Sequence, residues 1–252
     1  VAIAVDPAAS ELENASREKF EQSDVVGMYL FWRSEEQVVM TRDELLHLYM
    51  SALEEGIPIV SIEDGFAEDD DAGWILISEE LGDKIHNIGD DRIVTNDKTI
   101  EIKTDYVDAS GTHKQSINAA LIKANQIGTL SETILAMLTS LGKGFELVVS
   151  HRSKSPNDDM EAQIALAAQA MGLKAGGGAN TERLVKYGAI IKLIKDVLRQ
   201  KVGEAEGVHS ATISEDQIEG VFSRLVITSV TAYEEATNAG IELTVGVAAR
   251  FA

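Results

Sequence analysis

Short unbroken apolar runs, each ended by an ionisable residue, recur along the chain. Val1-Ala2-Ile3-Ala4-Val5 stops at Asp6, and Ile59-Val60-Ser61-Ile62 stops at Glu63-Asp64. Ile88-Gly89 leads into Asp90-Asp91, and Ala119-Ala120-Leu121-Ile122 ends at Lys123. Leu147-Val148-Val149-Ser150 ends at His151-Arg152-Ser153, and Gly172-Leu173 ends at Lys174. Runs of this length bounded by polar turns read as buried strands. The terminal residues follow one another at roughly 25 to 55 positions, about the length of a βα unit with or without an insertion. The alternation predicts an α/β fold, and six such endings in order point to a TIM-type parallel β/α barrel. In that architecture the carboxyl ends of the strands share one face, where catalytic groups sit.

The intervening segments supply the helices. Thr41 with Glu44 three positions on forms a capping box, followed by an apolar face of Leu45, Leu46, Tyr49, Met50 and Leu53 and a stop at Gly56 before Pro58. Further helices are predicted at 72–81, 130–141, 160–171 and 181–200. Residues 7–36 read as a polar surface excursion or small hairpin around the aromatic patch Met28-Tyr29-Leu30-Phe31-Trp32. The segment 98–118 should hold a crossover helix. From Lys201 the texture changes: a short helix capped by Ser214-Glu215-Asp216-Gln217, then strands at 225–228 and 241–245. These bring the strand count to eight. The expected organisation is therefore barrel units over 1–200 and a divergent segment over 201–252 that either completes the barrel or forms a C-terminal appendage. The first run opens at Val1 inside a strand without a methionine, read here as an excised, truncated or rearranged chain.

Composition narrows the partners. The 252 residues are 44% hydrophobic, enough for one large barrel, and their formal net charge is −20, which argues against nucleic acid or an anionic membrane surface. Cysteine is absent, so no disulfide supports the fold. No apolar run is long enough to span a bilayer, and a cytoplasmic protein is the expectation.

The strand endings carry the candidate chemistry. Asp6, Glu63 and Asp90 offer carboxylate oxygens without sulfur or paired histidines, a donor set that suits Mg²⁺ rather than Zn²⁺. Any one of them alone reads as solvated surface; the shared placement raises the metal reading. Lys123 alone reads as a lysine snorkelling out of a core strand. Beside a divalent cation or a second lysine it can serve as a general base, and Lys123 and Lys174 could act on each other in this way. Arg152 with Ser153 presents a guanidinium fork and a hydroxyl that match a phosphate, while His151 either binds substrate or supports the loop. Gly176-Gly177-Gly178 reads as a turn or as a close backbone approach to a ligand.

Taken together these motifs resemble enolase, the phosphopyruvate hydratase family. The matched stretches are Val5-Asp6 with Ala8-Ala9-Ser10-Glu11, Val60-Ser61-Ile62-Glu63-Asp64, Gly89-Asp90-Asp91 with Val94-Thr95-Asn96, and Lys123 with Asn125-Gln126-Ile127-Gly128. Val149-Ser150-His151-Arg152-Ser153 and Glu182-Arg183-Leu184 with Lys186-Tyr187 complete the set in family order. The resemblance implies a barrel of the enolase superfamily in which Asp6, Glu63 and Asp90 bind Mg²⁺. It implies Lys123 as the base beside the substrate carboxylate, Lys174 as a holder of developing charge, and Arg152 and Ser153 as phosphate ligands. It also implies a small phosphorylated carboxylate substrate and leaves a homo-oligomer open.

The chain departs from the family in definite places. Neither the Gly-Asp-Glu-Gly-Gly loop nor the Gln-Glu-Phe motif of the family's region that carries the general acid occurs. Gly65 replaces a proline, Lys154 a glycine, and Ala175-Gly176-Gly177 a Thr-Gly-Ala run. Three readings stay open on the residues alone: a 2-phosphoglycerate-dehydrating lyase, another superfamily enzyme that abstracts a proton beside a carboxylate, and a barrel binding Mg²⁺ and a phosphorylated ligand without turnover.

Overall fold

The computed structural model describes residues 2–21, 25–152, 156–177, 180–206 and 214. They fall into two compact units, one over 2–148 and one from residue 149 onward. The first unit opens with strand β1 (Ile3–Val5), helix α1 (Ala9–Phe20) and an antiparallel hairpin of β2 (Met28–Leu30) and β3 (Val39–Thr41). It continues through α2 (Arg42–Glu54), β4 (Ile59–Glu63), α3 (Asp71–Leu81), β5 (His86–Gly89) and α4 (Asp97–Lys103). A second hairpin, β6 (Asp105–Val107) and β7 (His113–Gln115), leads to β8 (Ala119–Ile122), the one-turn α5 (Ala124–Ile127) and α6 (Leu130–Gly142).

Strands β1, β4, β5 and β8 lie side by side in that order, each pair parallel. This is the β/α alternation of a TIM-type barrel, with each crossover made through a helix. All four residues of β8 are buried, as expected of a strand covered on both faces. Strand β9 (Glu146–Ser150) crosses from the first unit into the second, which continues with α7 (Met160–Ala167), β10 (Gly172–Lys174) and α8 (Thr181–Glu206).

The loop after β4 is clamped from two sides. Phe66 is fully buried against the edges of Tyr29 and Tyr49, with ring centroids 5.8 and 6.3 Å away. The Tyr49 hydroxyl donates to Gly65 O at 2.9 Å and Trp74 Nε1 donates to Ala67 O at 2.9 Å, satisfying carbonyls that the loop would otherwise bury unpaired. Asp70, fully buried, caps α3 by accepting from Gly73 N at 3.1 Å.

Several elements match expectation. Thr41 and Glu44 form the capping box, and Leu45, Leu46 and Tyr49 are buried. Four of the six strands end where the apolar runs stop, and β4 and β10 run one residue further, to Glu63 and Lys174. Other segments differ. Residues 9–20, read as a surface excursion, form helix α1. Its buried positions are Ala9, Leu12, Glu13 and Ser16, a helical spacing in which two of the four residues are polar and mask the periodicity. Glu13 is tolerated inside because Arg17 donates to it at 2.5 Å and Gly27 N at 2.7 Å. The expected crossover helix in 98–118 is only the seven-residue α4, and the rest is the β6–β7 hairpin. Helix α7 stops at Ala167 rather than 171, with Gln169 in the left-handed region at φ 50°. Helix α8 runs across residue 200 to Glu206. The strands expected at 225–228 and 241–245 and the helix after Ser214 lie outside the described residues, as does Ser153.

Candidate active site

The site of the first unit is built where β4, β5 and β8 end. Parallel pairing sets Glu63 against Ile88, so the residue after β4 meets the residues after β5. Asp64 leaves the strand at φ 45°, and its own N–H donates to Ile88 O at 3.0 Å. Its side chain then spans the next turn: Oδ1 accepts from Asp90 N and Oδ2 from Asp91 N, both at 2.9 Å. A carboxylate with two backbone donors fixes the direction of that turn. Burial pushes the Asp64 carboxyl up to about 8 against the opposing pull of those two N–H groups, and the adjacent Asp90 and Asp91 charges push the same way.

Oxygens of Asp64, Asp90 and Asp91 lie within 4.8 Å of one another. Three carboxylates held this close by backbone hydrogen bonds and strand pairing are costly without a cation to share. The donors are all hard oxygens, so the arrangement fits a divalent cation of the Mg²⁺ kind.

Lys123 completes the group. It is the first residue beyond β8, still extended at φ −124°, and its Nζ makes an ion pair with Asp90 Oδ2. Gln126, one turn along in α5, places Nε2 3.5 Å from the other Asp90 oxygen. Beneath them Thr95 accepts from Lys123 N at 3.0 Å and donates to Gln126 Oε1 at 2.9 Å. Thr95 and Val94 both occupy the left-handed region, at φ 54° and 46°. For β-branched residues that conformation is strained by about 1–3 kcal/mol each. The turn is held by Ile93 N and Val94 N, which both donate to Asp90 O. Arg92, buried under it, donates to Asp71 Oδ1, Glu68 O and Lys103 O and lies over the Trp74 ring.

Of the three carboxylates expected to hold a cation, Asp90 belongs to this convergent group. Glu63 is buried as the last residue of β4, and Asp6 is exposed just beyond β1, where its Oδ1 accepts from Ala8 N at 3.3 Å. Asp64 and Asp91 are the members that strand-ending logic passed over. The signal was the doublets Glu63-Asp64 and Asp90-Asp91: the second member of each has already left the strand, so pleat alternation no longer separates it from its neighbour.

The second unit carries its own strand-end set. His151 N donates to Lys174 O at 2.9 Å, which sets the ends of β9 and β10 side by side. His151 Nδ1 is buried and has no hydrogen-bond partner among the described residues, and burial, then the Arg183 charge, holds the imidazole below its ordinary range. Arg152 is exposed. Arg183 lies against Gly176, where an added Cβ would come within 2.9 Å of its Nε. Lys186 is fully buried yet well met, by Pro156 O, Asp158 O and the Glu161 carboxylate at 3.1, 2.9 and 3.0 Å.

Set beside known families, residues 1–212 match the profile described as enolase, C-terminal TIM barrel domain. That match takes in every described strand end and the Asp64, Asp90, Asp91 and Lys123 group. The chain belongs to the enolase family and corresponds to its C-terminal TIM barrel domain.

Proposed function

We propose that the chain is an enolase-type lyase that interconverts 2-phosphoglycerate and phosphoenolpyruvate with the help of Mg²⁺, a cytoplasmic reaction of glycolysis. The observation that carries this reading is the Lys123 amine at a strand's carboxyl end, paired with a carboxylate of a convergent acidic group. Family membership supports lyase chemistry in general terms.

The proton next to a carboxylate is weakly acidic, and its removal leaves a dianion that needs stabilisation as it forms. Asp90 with Asp64 and Asp91, together with Glu63 and Asp6 from the neighbouring strand ends, would hold the cation. When bound, Mg²⁺ supplies Lewis-acid stabilisation of charge on the substrate carboxylate. Because Asp90 both pairs with Lys123 and would be a ligand of the cation, it ties the base to the place where the substrate carboxylate would be held. Lys123 Nζ takes the proton, and the electron pair of the broken C–H bond moves into the carboxylate. Collapse of that charge expels the hydroxyl of the adjacent carbon, which leaves as water with a proton taken from solvent. Arg152 and Ser153 are assigned to the phosphate, His151 to the substrate beside them and Lys174 to the developing charge, following the family's strand-end order.

The test is a continuous ultraviolet assay of phosphoenolpyruvate formed from 2-phosphoglycerate, with Mg²⁺ titrated. Turnover that needs Mg²⁺ and is lost in Lys123→Ala supports the reading. Turnover that survives in Lys123→Ala contradicts it.

A further inference from the structure

The left-handed turn at Val94 and Thr95 is strained, buried beneath the acidic group, and not used by the chemistry above. Such strain persists only where surrounding contacts over-determine it, and here they have a direction. A threonine hydroxyl has one proton to give. Thr95 Oγ1 accepts from the Lys123 backbone N–H at 3.0 Å, so its single proton goes to Gln126 Oε1, 2.9 Å away. That fixes which end of the Gln126 amide faces which way. With its oxygen engaged by Thr95, Gln126 has only its NH₂ to offer, and this points at Asp90 Oδ1 at 3.5 Å. Lys123 Nζ meets the opposite oxygen of the same carboxylate. The donors of this relay therefore converge on Asp90: the Lys123 backbone N–H donates to Thr95, Thr95 to Gln126 and Gln126 to one Asp90 oxygen, while Lys123 Nζ donates to the other. Thr95, held in the left-handed region, places its one hydroxyl against both partners.

We infer that Thr95 and Gln126 are positioning residues that fix the rotation of the Asp90 carboxylate and hold the Lys123 amine against it. This rests on Lys123 as the base of the proposed reaction. Neither residue is required to touch substrate. Losing a supporting partner of this kind typically costs 10- to 100-fold in rate or metal affinity.

The experiment measures deuterium incorporation at the carbon beside the carboxylate of 2-phosphoglycerate, in D₂O with Mg²⁺, by proton NMR. Thr95→Val keeps the shape and removes the hydroxyl; Thr95→Ser keeps the hydroxyl; Gln126→Leu breaks the relay on the half-buried one-turn helix and guards against a Thr95 variant that fails to fold. Thr95→Val and Gln126→Leu are expected to lower the maximal exchange rate by about tenfold or more with KM little changed, and Thr95→Ser to restore it to within about threefold. A Thr95→Val protein that exchanges like the parent, or a Thr95→Ser protein as slow as Thr95→Val, overturns the inference. Labelling of Lys123 by an amine reagent, read by mass spectrometry, decides the matter independently of turnover: release of the amine should raise its labelling severalfold in Thr95→Val and Gln126→Leu. If the parent itself does not exchange, the functional reading fails, and unchanged labelling would then also sink the positioning claim.

Discussion

Two acidic sites of the first unit are built on buried carboxylates, Asp70 in one and Asp64 and Asp90 in the other, and their fates differ. Asp70 is met on every side: the Arg42 guanidinium approaches both oxygens at 2.6 to 3.0 Å, the Tyr29 hydroxyl donates at 2.6 Å and Gly73 N at 3.1 Å. Asp64, Asp90 and Asp91 are instead brought against one another, with Lys123 as the cation paired to one of them. A buried carboxylate surrounded by donors is a fastener, since breaking it leaves a stranded charge. Carboxylates gathered against one another are, in the function proposed above, the receptor for a cation.

The contrast can be broken or sharpened by mutation. The largest effect is expected on the receptor side: Lys123→Ala should cut phosphoenolpyruvate formation by about 10³-fold, within the range for loss of a general base, and added Mg²⁺ should recover in urea unfolding the stability that the unpaired Asp90 costs. Arg42→Ala should do the converse. It strands Asp70, at a cost of about 2–3 kcal/mol, less than for a wholly buried pair because Arg42 is partly exposed, and it should leave Mg²⁺ affinity unchanged.

Asp64→Asn tests the bridge between the strand ends. An amide can accept from one of the two N–H groups but turns its own NH₂ toward the other, for a loss of about 1–3 kcal/mol in chemical denaturation. Its pH dependence is equally specific. Folding raises the Asp64 carboxyl from the ordinary 3.8 to about 8, so the folded state holds that proton more tightly than the unfolded chain. The associated stability is fully present below about pH 4 and is lost as pH rises through about 8, with a limiting slope of about 1.4 kcal/mol per pH unit. Denaturation of the Mg²⁺-free parent should show that decline and Asp64→Asn should not. The smallest effect is expected for Tyr29→Phe, which removes one hydroxyl from Asp70 and from Ala67 N at 3.2 Å, worth about 1–2 kcal/mol in thermal unfolding with turnover intact.

Much of the fold was legible because a strand covered on both faces writes itself as an uninterrupted apolar run. Ala119-Ala120-Leu121-Ile122 is the clearest case, buried throughout and ending on Lys123 as expected. Helix α1 was not legible, since Glu13 and Ser16 occupy its buried face and the left-handed Ala8 before it provides no side-chain cap. Of the site, Lys123 and Asp90 could be read from position alone. Asp64 could not, because its role depends on a turn that reverses its direction and on N–H donors 26 and 27 residues away. Thr95 was hidden for the same reason: its hydroxyl meets the Lys123 N–H from a left-handed turn 28 residues away in the chain.

The most direct test of the contrast is calorimetric titration of Mg²⁺ into the parent, Asp90→Asn and Tyr29→Phe proteins. The account predicts that Asp90→Asn weakens binding by at least about tenfold while Tyr29→Phe binds like the parent. Equal affinity in all three would contradict it, and would leave Asp64, Asp90 and Asp91 as a second fastener rather than a receptor.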